Sequence, residues 1–205
     1  LGTKAVRDGD EYVLDGVKQF ISGAGTSEVY VVMARTGAPG PRGISAFIVP
    51  KDTEGLSFGA NEKKMGWNAQ PTRQVIFDGV RVPAANLLGS EGDGFRIAMN
   101  GLNGGRINIA ACSIGGAQSA LDKAVAYLAD RNAFGARLLD SQALQFRLAD
   151  FKTELEAART LLWRAADALQ NNAADKVEMC AMAKRFGTDT GFEVANGALQ
   201  LLGGY

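Results

Sequence analysis

The chain has 205 residues, 46% hydrophobic and 21% charged, the balance of an ordinary folded protein with room for one large domain or two modest ones. Lys plus Arg and Asp plus Glu number 22 each, so net charge supplies no attraction for nucleic acid or an anionic membrane surface. Histidine is absent, which removes Ser-His and Cys-His nucleophile pairs and the commonest metal ligand. Proton transfer would have to use a carboxylate or a cofactor, and no metal site is expected.

In chain order, Glu11–Leu14 and Val17–Ile21 read as two strands of a hairpin closed by a tight Asp15-Gly16 turn. Val29–Ala34 is a near-continuous β-branched run, the pattern of a strand buried on both faces. Gly37–Gly43 is a loop by composition, and Ile44–Val49 a strand ended by Pro50. Glu62–Met65, Arg73–Phe77 and Val80–Pro83 read as further strands. Short strands with turns every eight to twelve residues or so predict a small antiparallel barrel or sandwich.

The period then changes. One long helix is predicted from Gly94 to Ala129, with a stripe of Phe95, Met99, Leu102, Arg106, Ile109, Gly116, Ala120, Ala124 and Leu128. Its glycines at 101, 104, 105, 115 and 116 are the kind that let a backbone or ligand come close. A second helix from Gln142, capped by Ser141, carries Leu144, Leu148, Phe151, Leu155, Ala158, Leu162, Ala165 and Leu169. A third, from about Ala174, carries Met179, Ala183, Phe186, Thr190, Val194 and Leu201 and stops at Gly203-Gly204. Three such helices make most of an antiparallel four-helix bundle. The class is α+β: a β-domain over residues 1–90 and a helical domain over 91–205, each incomplete at its outer end. Cys112 and Cys180 read as reduced core thiols. No run approaches the roughly 18 apolar residues of a membrane span, and no signal-peptide pattern opens the chain.

Several groups could carry chemistry. Arg106 lies on the helical stripe with Asn103 one turn earlier, and meets either a neighbouring carboxylate or a ligand oxygen in space cleared by Gly104-Gly105. Arg131 serves either a helix C-terminus or a phosphate, and Phe134 either plugs the bundle end or covers a ring. Ser22, in an otherwise apolar strand end, needs a backbone or a cofactor partner, and Gln200 with Gly203-Gly204 is by itself only a helix cap.

Taken together, Phe20-Ile-Ser-Gly23, Lys64-Met-Gly-Trp67, Thr72-Arg73, Val82-Pro83, Gly92-x-Gly94-Phe95, Leu102-x-x-x-Arg106, Arg131-x-x-Phe134-Gly135 and Gln200-x-x-Gly203-Gly204 resemble the acyl-CoA dehydrogenase family across the whole chain. Met65–Arg73 and Gly101–Ala110 are most similar to its short branched-chain members, which act on isobutyryl-CoA in valine degradation. The resemblance implies a middle β-domain and a C-terminal bundle enclosing FAD and an acyl thioester, and a homotetramer built as a dimer of dimers. It implies electrons passing to an electron-transferring flavoprotein. By similarity Phe20, Ile21 and Ser22 line the flavin, and Asn103, Gly104, Gly105 and Arg106 contact the acyl-CoA. Arg131, Phe134, Ser141, Gln142, Gln200, Leu201, Leu202, Gly203 and Gly204 hold the rest of FAD, often across a dimer interface. The family's catalytic glutamate belongs beyond Tyr205, and its alternative position is Gly105 here, so no residue of this chain is the base and these 205 residues alone are expected to be inactive. Such enzymes are cytoplasmic in bacteria and lie in the mitochondrial matrix in eukaryotes. An acyl-CoA oxidase or flavin monooxygenase of the same fold, or a non-catalytic scaffold, are the alternatives.

Overall fold

A computed structural model describes residues 2–204. The chain forms two compact units, Leu1–Asn100 and Gly101–Tyr205.

The first unit is a seven-stranded sheet. Its strands are β1 (Lys4–Asp8), β2 (Glu11–Ser22), β3 (Val29–Arg35), β4 (Ile44–Pro50), β5 (Leu56–Phe58), β6 (Thr72–Pro83) and β7 (Leu87–Leu88), in the order β5-β6-β2-β1-β3-β4-β7. Pairings are antiparallel except that of β1 with β3, so the sheet is mixed. It curls around one core in which Leu14 of β2, Phe47 and Val49 of β4 and Val80 of β6 are fully buried.

The tight turn lies one step earlier than expected. The hairpin is β1–β2 around Gly9, which has φ +61°. Asp15-Gly16 is no turn: β2 runs straight through it with a register shift against β6. Glycine is required there because a Cβ would stand 2.7 Å from the Thr3 Cα. Glu62–Met65 is not a strand, whereas Leu56–Phe58 is, and Gly79 lets the two predicted strands on either side merge into β6. β3 alternates between exposed and buried positions, with Val29 and Val31 facing outward. Its β-branched run reflects strand propensity and not burial on both faces.

The helices are α1 (Gly94–Asp130), α2 (Gln142–Gln170) and α3 (Lys176–Leu201). Asp93 accepts the Ser90 N–H at 3.0 Å ahead of α1, a bond that holds its carboxyl below the usual range, helped by Arg96. In the second unit, the buried face of α1 is Ala110, Ile114, Ala117, Leu121, Ala124 and Leu128, a strict alternation of four and three. The larger residues Leu102 and Ile109 are half exposed, so the predicted stripe is out of phase before Ala124. Alanine takes the core positions because α3 packs closely here. A Cβ on Gly187 would lie 3.2 Å from that of Ala110, and one on Gly191 or Gly197 would overlap Ser113 or Phe151. The glycines that admit a neighbour are therefore those of α3. Gly101, Gly104, Gly105, Gly115 and Gly116 of α1 face open space. α2 buries Leu155, Ala158, Leu162 and Ala165 as predicted, while Phe186 of α3 is exposed and Cys180 takes a core position. Cys112, read as a core thiol, is exposed.

Candidate functional site

In the sheet unit the expected flavin residues end β2. A register shift between Lys18 and Ile21 sets Phe20 at φ +58°, a left-handed conformation that strains any residue with a Cβ. The ring is 66% exposed, so burial does not offset that strain. Ile21 is half buried against the core, and Ser22 is exposed, with a hydroxyl that makes no hydrogen bond among the described residues. The backbone partner expected for Ser22 is therefore not there. Trp67, in the loop before β6, repeats the pattern with φ +57° and 70% exposure. The Phe20 ring, held outward on strained backbone two residues from a free hydroxyl, suits a flat ring that stacks and accepts a hydrogen bond.

In the helical unit α1 carries Asn103 on its inward face, 4% exposed, with Oδ1 accepting from Arg106 Nη1 at 2.6 Å. No carboxylate pairs with Arg106 among the described residues. Its charge acts on Cys180 of α3, opposing the burial that pushes that thiol up. Most of the Arg106 donors remain open, next to the bare backbone of Gly104 and Gly105.

The other expected cofactor residues gather at the opposite end of the same unit. Between α1 and α2, β8 (Asn132–Ala133) and β9 (Ala136–Arg137) form a two-residue hairpin. Its central residues Phe134 and Gly135 have φ +56° and +83°, the signature of a type I′ turn. Phe134 is fully exposed and plugs nothing. Arg131 precedes the hairpin with its guanidinium in no ion pair among the described residues, and Arg137 pairs instead with Asp140 at 2.9 Å. Ser141 stands at the cap position of α2 but makes no side-chain cap bond, and Gln142 is exposed. Leu201 of α3 packs with Leu128, Leu138, Leu139 and Leu144, which brings Gln200, Leu202, Gly203 and Gly204 to this end. Gly203, at φ +68°, terminates α3 as predicted. The α-helical rise separates Arg131 from Arg106 by about 38 Å along α1.

Sequence reasoning passed over Arg73. Its Nε is buried without a partner, and its Nη1 would lie 3.2 Å from a Cβ on Gly25. The signal is the alternation Arg73-x-Val75-x-Phe77, which turns all three toward the core.

The acyl-CoA dehydrogenase C-terminal domain matches residues 92–205, and the middle domain of the same enzymes matches residues 1–80. The chain belongs to the acyl-CoA dehydrogenase family. It is 55% identical to mitochondrial isobutyryl-CoA dehydrogenase of Bos taurus, covering 100% of this chain and 49% of that protein. The fold matches butyryl-CoA dehydrogenase from Megasphaera elsdenii at a TM-score of 0.95 and 42% identity, over 99% of this chain and 53% of that one. A structure from work on the electron transferring flavoprotein of Acidaminococcus fermentans gives 0.94 and 46%, over 99% and 53%. The chain thus spans about half the length of the relatives it matches. The α+β class and the partial helical bundle agree with these structures.

Proposed function

We propose that the protein containing this chain is a flavin-dependent acyl-CoA dehydrogenase that converts a short branched acyl-CoA, isobutyryl-CoA or a near analogue, to the enoyl-CoA. The observation that carries this is 55% identity to isobutyryl-CoA dehydrogenase over the whole chain. The residues fit FAD: Phe20 and Ile21 offer faces to its ring, Ser22 a free hydroxyl, and Arg131 and Phe134, with Ser141, Gln142 and Gln200–Gly204, an open cationic and amide end for its phosphates and adenosine. FAD, when bound, supplies the hydride acceptor. Arg106 and Asn103 bind and orient the acyl-CoA, Arg106 through guanidinium donors that no acidic side chain occupies, with Gly104 and Gly105 giving it access. Glycine stands at position 105 and no carboxylate pairs with Arg106 among the described residues, which supports a base supplied from outside these 205 residues and a chain that does not turn over alone.

The likeness to a structure from electron-transferring flavoprotein work supports that protein as electron acceptor. A homotetramer, in the bacterial cytoplasm or the mitochondrial matrix, completes the reading; relatives occur in both bacteria and mitochondria. The test is anaerobic titration of the full-length flavoprotein with isobutyryl-CoA and n-butyryl-CoA. Flavin bleaching with kcat/KM favouring isobutyryl-CoA is the expected result. A protein that holds no flavin, or whose flavin neither thioester bleaches, overturns the reading. Rapid reoxidation by oxygen would make it an oxidase.

A further inference from the structure

Arg73 of β6 is partly buried without a partner. Among the described residues its guanidinium makes no hydrogen bond and no ion pair, and its Nε is cut off from solvent. An unpaired cation held away from water costs free energy, and departures of that kind concentrate at functional sites.

The position of that charge is well defined. Arg73 stands directly across the strand pair from Ile21, and Thr72 across from Ser22, so its backbone is about 5 Å from the strand end that carries Phe20–Ser22. Paired residues share a face, and Arg73 with Ile21 turns to the core side while Phe20 and Ser22 are exposed. The guanidinium ends against the turn that follows Ser22. A Cβ on Gly25, which has φ +84°, would stand 3.2 Å from Arg73 Nη1 and 3.7 Å from the Phe58 ring. The turn is itself held in place: the Gly25 N–H donates to the Tyr30 hydroxyl at 2.8 Å, and the Gly23 N–H to the Pro71 carbonyl at 2.9 Å. Tyr30 packs on Phe58 with ring centroids 5.5 Å apart. The charge is therefore ordered among aromatic rings and a bare turn, with no carboxylate at ion-pair distance among the described residues.

We propose that Arg73 raises the reduction potential of the flavin assigned above to Phe20–Ser22, acting through space from the core side of the strand end. The inference rests on that functional reading. Hydride transfer from the acyl-CoA brings the flavin two electrons and one proton and leaves its ring with one more negative charge, while the α-proton goes to the base. A fixed cation nearby favours the product of that step and needs no reorganisation as the charge appears. At about 10 Å and an effective dielectric of about 20, one unit charge shifts such an equilibrium roughly tenfold. For a two-electron couple that is about 30 mV.

The test is the midpoint potential of the full-length flavoprotein without substrate, read by equilibration with a reference dye, for wild type, Arg73→Lys, Arg73→Gln and Arg73→Met. Both neutral variants should fall by about 30 mV, a tenfold loss of reduced flavin at equilibrium. The lysine variant should stay within about twofold of wild type, or about 10 mV. Unfolding of the apoprotein should occur at no lower denaturant concentration in Arg73→Met than in wild type, because the unpaired cation is gone. Neutral variants within twofold of wild type, or a lysine variant that falls as far as they do, overturn the inference. If no neutral variant folds with FAD bound, Arg73 is a packing residue and the inference is overturned as well. A wild-type protein that binds no flavin overturns the functional reading and this inference together, whereas a flavin whose potential ignores the charge at position 73 overturns this inference alone.

Discussion

At the scale of single residues, the site is marked by conformational strain more than by charge. Phe20, Trp67 and Phe134 have positive φ, expose their rings and fall in segments that motif reading had already selected. A left-handed non-glycine residue costs about 1–2 kcal/mol, and a fully exposed ring returns none of that through burial. Phe134→Gly should therefore leave the unfolding free energy of the apoprotein unchanged or raise it by up to about 1 kcal/mol. FAD retention should fall in the same variant, read from the flavin-to-protein absorbance ratio; retained flavin with lost stability would make Phe134 structural. Such strain was not legible in the sequence, because an aromatic in a Phe-Gly pair reads equally well as core. Lys18 was equally hidden, since only the fold shows that its ammonium is drawn in toward the Met33 carbonyl. Burial pushes its pKa down to about 8, against about 10.4 in the unfolded chain. Between those values the unfolded chain binds more protons, so the contribution of Lys18 to stability rises with pH. Below pH 8 the buried cation penalises the fold in full. The stability gained by Lys18→Met should be greatest near pH 7 and shrink to a constant by about pH 10.5, as chemical denaturation at several pH values would show.

At the scale of elements, periodicity predicts the three long α-helices and places their ends well, because Gly94, Ser141 and Gly203 each mark a boundary. It failed on phase in α1, where side-chain size misled. The interface is built for close approach, so Ala110 and Ala117 are buried while Leu102 and Ile109 are not. Only the partner helix reveals this, through the glycines at 187, 191 and 197. The β-domain was legible as a series of strands, but Gly16 read as a turn because a bulge and a turn make the same demand for glycine. The two glycine classes predict opposite signs for one substitution. Gly191→Ala places a methyl against Ser113, including its carbonyl at 3.0 Å, and should destabilise by about 1–3 kcal/mol. Gly115→Ala meets nothing within 4 Å and should stabilise by about 0.5–1 kcal/mol. Thermal unfolding of the two variants side by side checks both; equal signs would mean that α1 and α3 do not pack as described.

At the scale of the molecule, the candidate groups of the helical unit lie at opposite ends, Arg106 facing Cys180 and Arg131 beside Leu201. About 38 Å of helix between them is far for a cofactor that must touch its substrate at one end. The separation is natural if the Arg131 end of one subunit serves a flavin whose substrate sits in another, as in the proposed dimer of dimers, where a two-fold axis makes the exchange reciprocal. Complementation tests this directly. Consider one full-length subunit carrying Phe20→Ala with Ser22→Ala, and another carrying Arg131→Ala with Phe134→Ala. If both groups serve the same flavin from the same chain, every site in a mixed assembly keeps one defect and activity stays absent. If they come from different chains, each mixed pair contains one site with both defects and one with none. Random pairing of equal amounts makes half the pairs mixed, so about a quarter of all sites should be wild type. Co-expression recovering roughly that fraction of flavin and turnover supports the shared site. Recovery of neither places both groups at one flavin within the same subunit and overturns the shared site.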